Sequence, residues 1–398
     1  MNLRSYQGGA ITSALDFIKN PKIKEDAGII VAPTGSGKSY IIAGIAAEYE
    51  KGIIIFQPNK TILEQNYDKY TNVYGFEASI YSASMKQKNV GHVTFATIKS
   101  VKGGAGLFRH AGLIIIDECH TVNSKGGEYF DFIEDIRTLN GNKHGSVKII
   151  GLTATPWRLN TDGYGGSMIK FITRTRPKIF KNVIYLIQTK TLFDAGYLSK
   201  LHYYSIPFDS SKVAVNSTGA DYKEESLRAY YESINYPDTI VSTIKELLSK
   251  GIKSILVFTA FIRESEYIVS KLKGKAQIVT GEDIKGRNGI FKKFESGEMP
   301  VLCNVGVATT GYDFPNLRCV LVARPTMSAS LWFQMIGRVA RIFEGKPYGI
   351  VVDMGDNFRL FGKMEDMEIT EESPVGSGKY YALSRTNGRK LTNQYFER

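Results

Sequence analysis

The sequence predicts an α/β protein of two tandem domains, each built on a mainly parallel sheet, and three observations carry that prediction. Short β-branched runs alternate with helix-length amphipathic stretches through both halves of the chain. Strands separated in this way imply crossover connections and sheets covered on both faces. At 398 residues the chain is too long for one ordinary core. Finally, one apolar run, Gly28 to Val31, leads through Ala32-Pro33-Thr34-Gly35-Ser36-Gly37-Lys38-Ser39 into Tyr40 to Ala47, which reads as strand, glycine-rich loop and helix.

In the first half, Ile29 to Ala32, Ile53 to Gln57, Val93 to Ala96, Leu113 to Ile116 and Lys148 to Leu152 read as strands, since each is apolar and rich in β-branched residues. Lys38 to Tyr49, Lys60 to Tyr70 and Phe130 to Leu139 read as the helices between them. From about Asn160 to Arg176 Gly, Ser, Thr and Arg dominate, with Gly163, Gly165 and Gly166 close together, as in a mobile loop. The first domain is expected over residues 1–200, closing at Phe193 to Leu198, with residues 201–235 as linker and insertion.

The second domain, residues 236–360, repeats the alternation. Ser254 to Thr259, Ala276 to Thr280, Val301 to Val305, Val320 to Ala323 and Gly349 to Asp353 read as strands; Ile240 to Leu248, Glu264 to Leu272, Lys285 to Phe294 and Ser330 to Val339 read as helices. It has no glycine-rich loop ending in Lys-Ser and is expected to serve the first domain's site or another ligand. Residues 361–398 form a basic, aromatic tail in which Lys379, Arg385, Arg389, Lys390 and Arg398 interleave with Tyr380, Tyr381, Tyr395 and Phe396. That pattern suits single-stranded nucleic acid and equally a frayed, soluble terminus.

The loop after the first strand carries the clearest chemistry. Its backbone N–H groups can point inward at a phosphate, and the following helix N-terminus adds partial positive charge. In such a loop Lys38 reaches the β- and γ-phosphates and the Ser39 hydroxyl holds Mg²⁺. A nucleoside triphosphate is the expected ligand, although the strict pattern has Gly where Ala32 stands. Leu113 to Ile116 ends in Asp117-Glu118-Cys119-His120. Beside the loop's strand, Asp117 is placed to share Mg²⁺ with Ser39, and Glu118 to polarise the attacking water as general base. His120 stays open between a turn histidine and a sensor of the γ-phosphate.

A formal net charge of +12 favours polyanionic partners, and generic basicity accounts for it as well. No run approaches the roughly 18 apolar residues of a membrane span, and the N-terminus carries no signal-like apolar region. A cytoplasmic protein of a bacterial cell or of a phage-infected host, without membrane contact, is expected. Cys119, Cys303 and Cys319 lack paired spacing and read as reduced core thiols, with no zinc site.

Four separated motifs resemble one group. Ala32 to Ser39, Asp117 to His120, Leu152-Thr153-Ala154-Thr155-Pro156 and Gln334-Met335-Ile336-Gly337-Arg338-Val339-Ala340-Arg341 follow the order and approximate spacing of superfamily-two helicases of the DEAD/DEAH (DExH) type, over about residues 3–357. Within that group the chain is most similar to RadD-like bacterial DNA-repair helicases, through Leu192 to Ser199, Asn304 to Asp313, Arg324 to Ser328 and Val352 to Asn357. It departs from them in having no cysteine in its tail, where longer members carry a zinc segment.

The resemblance implies two RecA-like domains with ATP and Mg²⁺ in the cleft between them. It implies a catalytic set of Lys38, Asp117, Glu118, Arg338 and Arg341, with Arg341 as arginine finger and Arg338 as its partner, on one face of a predicted helix. Thr34, Gly35, Ser36, Gly37, Lys38 and Ser39 cradle the phosphates, Gln7 and Arg4 meet the adenine, and Gly311 and Asp313 lie by the arginines or the ribose. Nucleic-acid contacts fall to Pro58, Asn59, Lys60 and Thr97 in the first domain and to Phe258, Thr259, Thr309 and Thr310 in the second; Thr153 and Thr155 couple them to hydrolysis. The implied activity is a nucleic-acid-stimulated ATPase that translocates on DNA, in repair, recombination or phage replication. Alternatives are an RNA helicase, or a motor subunit with protein partners in a restriction or anti-phage assembly.

Overall fold

A computed structural model of the chain describes residues 3–141, 147–161, 167–217, 221–280, 286–306, 314–372, 379–392 and 396–397. Helix α1 (Ser5–Lys19) precedes β1 (Ala27–Val31), all five of whose residues are buried. α2 (Lys38–Glu48), β2 (Gly52–Phe56), α3 (Lys60–Tyr74), β3 (Ser79–Ser82), β4 (Gln87–Lys88), β5 (Val93–Ala96), β6 (Ala111–Asp117), α4 (Glu128–Leu139) and β7 (Lys148–Thr153) follow. β8 (Trp157–Thr161) and β9 (Ser167–Phe171) form a separate antiparallel pair, so residues 160–161 and 167–171 of the stretch expected to be a mobile loop are strand-paired; residues 162–166 lie outside the described residues. β10 (Asn182–Leu186) completes an eight-stranded sheet of order β10-β1-β7-β6-β2-β5-β3-β4.

Apart from the short β3–β4 pair this sheet is parallel, and the register aligns its carboxyl ends: Val31 lies opposite Thr153, Asp117 opposite Leu152, and Phe56 opposite both Ile116 and Ala96. The loops beginning at Ala32, Glu118, Ala154, Gln57 and Thr97 therefore emerge along one edge. Residues far apart in sequence become neighbours there, where open parallel sheets collect ligands.

After α5 (Thr189–Asp194) the chain enters a second sheet through β11 (Leu201–Ser205). α6 (Glu224–Ser233), α7 (Tyr236–Ser249), β12 (Ile255–Thr259), α8 (Ile262–Leu272), β13 (Ala276–Val279), α9 (Arg287–Glu295), β14 (Val301–Asn304), β15 (Cys319–Ala323), α10 (Ala329–Ile336), β16 (Gly349–Asp353) and α11 (Asn357–Phe361) complete this unit. The sheet is parallel, of order β11-β16-β15-β12-β14-β13. The segment 201–235, expected as linker and insertion, thus supplies an edge strand, Leu201 to Ser205 against Gly349 to Asp353, and a helix packed on α7. The aromatic–polar alternation that suggested an insertion is the period of a half-exposed edge: His202 and Tyr204 face outward, while Leu201 is buried.

The tail is also ordered where described. β17 (Met367–Glu371), β18 (Lys379–Ser384), β19 (Arg389–Lys390) and β20 (Phe396–Glu397) form a small antiparallel sheet. It is clipped to the first domain by Gln188, whose Nε2 donates to the Ile369 carbonyl at 2.6 Å and whose Oε1 accepts from the Ile369 N–H at 3.1 Å. Cys119, Cys303 and Cys319 are buried free thiols. Among the described residues no helix is long and apolar enough to cross a membrane.

Candidate active site

The glycine-rich loop is held open by its backbone. Gly35 and Gly37 have φ of 83° and 79°, the left-handed region that side chains avoid. A Cβ on Gly35 would come 2.6 Å from Leu198 Cδ2, and one on Gly37 2.6 Å from Gln7 Nε2. The Ala32 N–H donates to the Thr153 carbonyl at 2.8 Å, tying the loop to β7. α1 grips the loop from the other side, because Tyr6 Oη and Gln7 Nε2 donate to the Ser36 carbonyl at 2.9 and 3.0 Å. Gln7 Oε1 accepts from the Arg4 N–H at 3.0 Å, and the Arg4 guanidinium lies 4.1 Å above the Tyr197 ring.

Lys38, at the first position of α2, pairs with Glu118 Oε1 at 3.2 Å. Glu118 adopts φ 52°, an αL turn straight after the buried end of β6 that swings its carboxylate toward the loop. Burial opposes its charge, but Lys38 and His120 outweigh that and hold the carboxyl below the usual range. Neighbouring Asp117 is pushed up to about 7 by burial and by the charge of Glu118. His120 Nδ1 stands 2.8 Å from Thr153 Oγ1 and 3.3 Å from Glu118 Oε2, and Thr153 Oγ1 accepts from the Thr155 N–H at 3.1 Å. One chain of polar contacts thus runs from Lys38 through Glu118 and His120 to Thr153 and Thr155.

The second unit closes on this edge. Gln334 Nε2 lies 3.5 Å from His120 Nε2, and a Cβ on Gly337 would be 3.0 Å from the Thr34 Cβ, so glycine there permits the close approach. Arg338 and Arg341, with Arg4, Gln7, Lys38 and Glu118, line a cavity of about 560 Å³ between the two units. Burial pulls both arginines down to about 10, still cationic at neutral pH. The expected helix through Val339 stops at Ile336; Gly337 caps it, Arg338 stands on the turn that follows, and Arg341 directly after that turn. They reach the cavity through that turn and not from a shared helical face.

Two functional candidates escaped the sequence reading. Asn66 Nδ2 donates to Gln57 Oε1 at 2.9 Å and lies 3.5 Å from Asp117 Oδ2, and Lys69 Nζ donates to Ser39 Oγ at 3.1 Å. They are three apart on α3 and share its face toward the site. Polar residues on the buried side of an otherwise amphipathic helix were the signal available. The donor set fits a magnesium–triphosphate: a Ser hydroxyl, a carboxylate, glycine-lined space that a Cβ would fill, and a Lys whose partner is an anion.

Of the expected strand contacts, Pro58 to Lys60 and Thr97 do lie at the carboxyl edge, following neighbouring β2 and β5. Asn59 Oδ1 caps α3 by accepting from the Ile62 N–H at 3.0 Å, exposed Lys60 pairs with Glu64 at 3.5 Å, and Thr97 Oγ1 is 2.8 Å from Ser100 Oγ. Phe258 and Thr259 are corrected: they are 2% and 1% exposed. Phe258 fills the core, and the Thr259 hydroxyl is bonded to the Phe261 carbonyl and to Ser265 Oγ. Packing over the faces of β12, the core around Phe258 and the start of α8 around Thr259, buries what a strand-end position suggested would face a ligand. Phe258→Ala is accordingly expected to cost about 3–5 kcal/mol of stability, read as a lower denaturant midpoint. Thr309, Thr310, Gly311 and Asp313 lie outside the described residues.

Comparison with known proteins adds independent findings. Residues 1–158 match the family model for "Type III restriction enzyme, res subunit", and residues 239–343 the model for "Helicase conserved C-terminal domain". A "51.5 kDa protein" of a Lactococcus phage is 27% identical over 84% of this chain and 67% of its own length. The "Putative ATP-dependent helicase IRC3" of Saccharomyces cerevisiae is 26% identical over 61% of this chain, which spans only 33% of that protein. Among solved structures, the "ATP-dependent Type ISP restriction-modification enzyme LlaBIII bound to DNA" shares the fold, with a TM-score of 0.62 at 15% identity over 89% of this chain and 28% of that one.

Proposed function

From the premise that this chain belongs to the superfamily-two helicases of the DExH type, we propose that it is a nucleic-acid-stimulated ATPase that translocates on DNA in the cytoplasm. The observation that carries the proposal is the cavity walled by Lys38 and Glu118 on one side and by Arg338 and Arg341 on the other. Triphosphate hydrolysis builds negative charge on the transferred phosphoryl, and a site with a lysine, a base and two arginines facing one volume is built to stabilise it.

In this reading Lys38 leaves Glu118 for the β- and γ-phosphates, and the released carboxylate takes the proton of the attacking water. Ser39 and Asp117 would hold Mg²⁺, which supplies Lewis-acid charge neutralisation at the phosphates. Gln7 and Arg4 orient the base, Arg341 meets the γ-phosphate, and Arg338 supports it. Because the arginines sit on the second unit, the cleft is complete for chemistry only when closed, and hydrolysis releases the closure. The Glu118–His120–Thr153 contacts supply a route by which phosphate state reaches the edge where Asn59, Lys60 and Thr97 stand. A strand crossing that edge would be gripped differently in the open and closed states, which moves the protein along it.

Phosphate release measured with single-stranded DNA, duplex DNA, RNA or none tests the proposal. Release is expected to rise most with DNA and to lose its stimulation as salt increases, because phosphate contacts release counterions. A rate indifferent to every nucleic acid overturns the reading. A second reading, a motor that serves partner proteins in a restriction or defence assembly, is favoured by the res-subunit match over residues 1–158 and the likeness to LlaBIII. DNA-stimulated hydrolysis without strand displacement by the isolated chain, restored by partners from its host, would select it.

A further inference from the structure

Beyond the residues that face the cavity, we infer that Lys346 and Ser199 are positioning residues for Arg341, which they hold by its backbone carbonyl. The inference rests on the proposed role of Arg341 and adds what sets that residue in place. Because α10 ends at Ile336, Gly337 to Ala340 run as turns and Arg341 follows without regular structure, so the carbonyls from Val339 to Arg341 have no helical partner of their own. Lys346 Nζ donates to Val339 O at 2.7 Å, to Arg341 O at 2.8 Å and to Pro315 O at 3.2 Å. Ser199 supplies the remainder: its N–H donates to Ala340 O and its hydroxyl to Arg341 O, each at 2.8 Å. The carbonyls of three consecutive residues are thus taken by three donor groups of two residues, Lys346 and Ser199.

Lys346 is only 6% exposed, and an ammonium is removed from water at a cost that an apolar side chain of similar length avoids. Burial and the nearby charges of Arg318 and Arg341 lower its pKa, which is the same cost seen through protonation. Three carbonyls converging on one ammonium are what recover it. Ser199 adds a second constraint, because it directly follows Tyr197 and Leu198. Tyr197 lies under the Arg4 guanidinium and Leu198 packs against Gly35. The segment that holds the Arg341 carbonyl is therefore anchored on the phosphate loop, and it fixes the distance between the finger's backbone and the phosphates.

Single-turnover ATP hydrolysis with saturating DNA, alongside equilibrium binding of ATP, tests this in Lys346→Met and Ser199→Ala, each alone and combined with Arg341→Ala. A misplacement of about 1 Å can cost on the order of 10²-fold in rate. Lys346→Met is expected to slow hydrolysis by about that factor and Ser199→Ala by less, with ATP affinity unchanged in both. In the Arg341→Ala background neither substitution should slow hydrolysis further, since a misplaced finger and a missing one cannot both be lost. Losses that persist undiminished in that background, or no loss from either single variant, overturn the inference. Should Lys346→Met fail to fold, Ser199→Ala, which deletes one hydroxyl, decides the matter. An unchanged rate for Arg341→Ala itself would instead remove the finger assignment, and the inference with it.

Discussion

Glu118→Gln is expected to leave ATP binding intact and to reduce turnover by on the order of 10²–10⁴-fold, the range that a positioned general base contributes. The amide matches the carboxylate in shape and can still accept from Lys38, which stands 3.2 Å away, so the cavity keeps its form. What it lacks is the proton affinity to activate water. Lys38 and His120 overcome the burial of Glu118 and keep it ionised; in the proposed cycle ATP would draw off Lys38 and so raise the proton affinity of the carboxylate as the γ-phosphate arrives. Phosphate release and equilibrium nucleotide binding, measured on the same preparation, separate the two effects. Sustained turnover would place the base elsewhere, and lost binding would make Glu118 a structural partner of Lys38.

Arg341→Ala is expected to slow hydrolysis by on the order of 10³-fold, again with ATP affinity little changed, because an arginine finger acts on charge that appears mainly in the transition state. Arg341→Lys should recover only part of the rate, since a point charge replaces a planar fork that can hold two phosphate oxygens. Arg338, which also lines the cavity, feels the charge of Glu118 as well as its own burial. Its loss should therefore disturb closure as well as chemistry. An equal fall in affinity and rate for Arg341→Ala would mean that it binds the ground state and is not a finger.

The strand, glycine-rich loop and helix around Lys38, and the strand that ends at Asp117, were legible in the sequence because each is a local pattern. A continuous apolar run, two glycines and Lys-Ser specify strand, left-handed turns and helix within a dozen or so residues, and the positive φ of Gly35 and Gly37 follows from that local chemistry. The inner strands were legible for the same reason, since strands buried on both faces leave unbroken apolar runs. β11 was not, because an edge strand alternates like an insertion. α1 lacked a signal of comparable strength: its buried side is built partly from the small residues Ala10 and Ala14. Phe258 and Thr259 were misplaced because exposure at a strand end depends on what packs beside it, a property of neighbours distant in sequence.

What the sequence by itself determined is the chemistry of two half-sites: a lysine, a serine and two carboxylates in one, two arginines in the other. The family resemblance already implied that these halves share a cleft, and the tertiary structure shows them lining one volume although Lys38 and Arg341 are roughly 300 residues apart. Only the tertiary structure decided that the arginines leave their helix, that Gly337 lets the units meet at Thr34, and that Lys346 and Ser199 occupy the carbonyls of the turn. The physical reason is range. Side-chain chemistry and local backbone preference are set by adjacent residues, whereas the approach of two sheets is set by packing and by hydrogen bonds between segments that sequence does not place together.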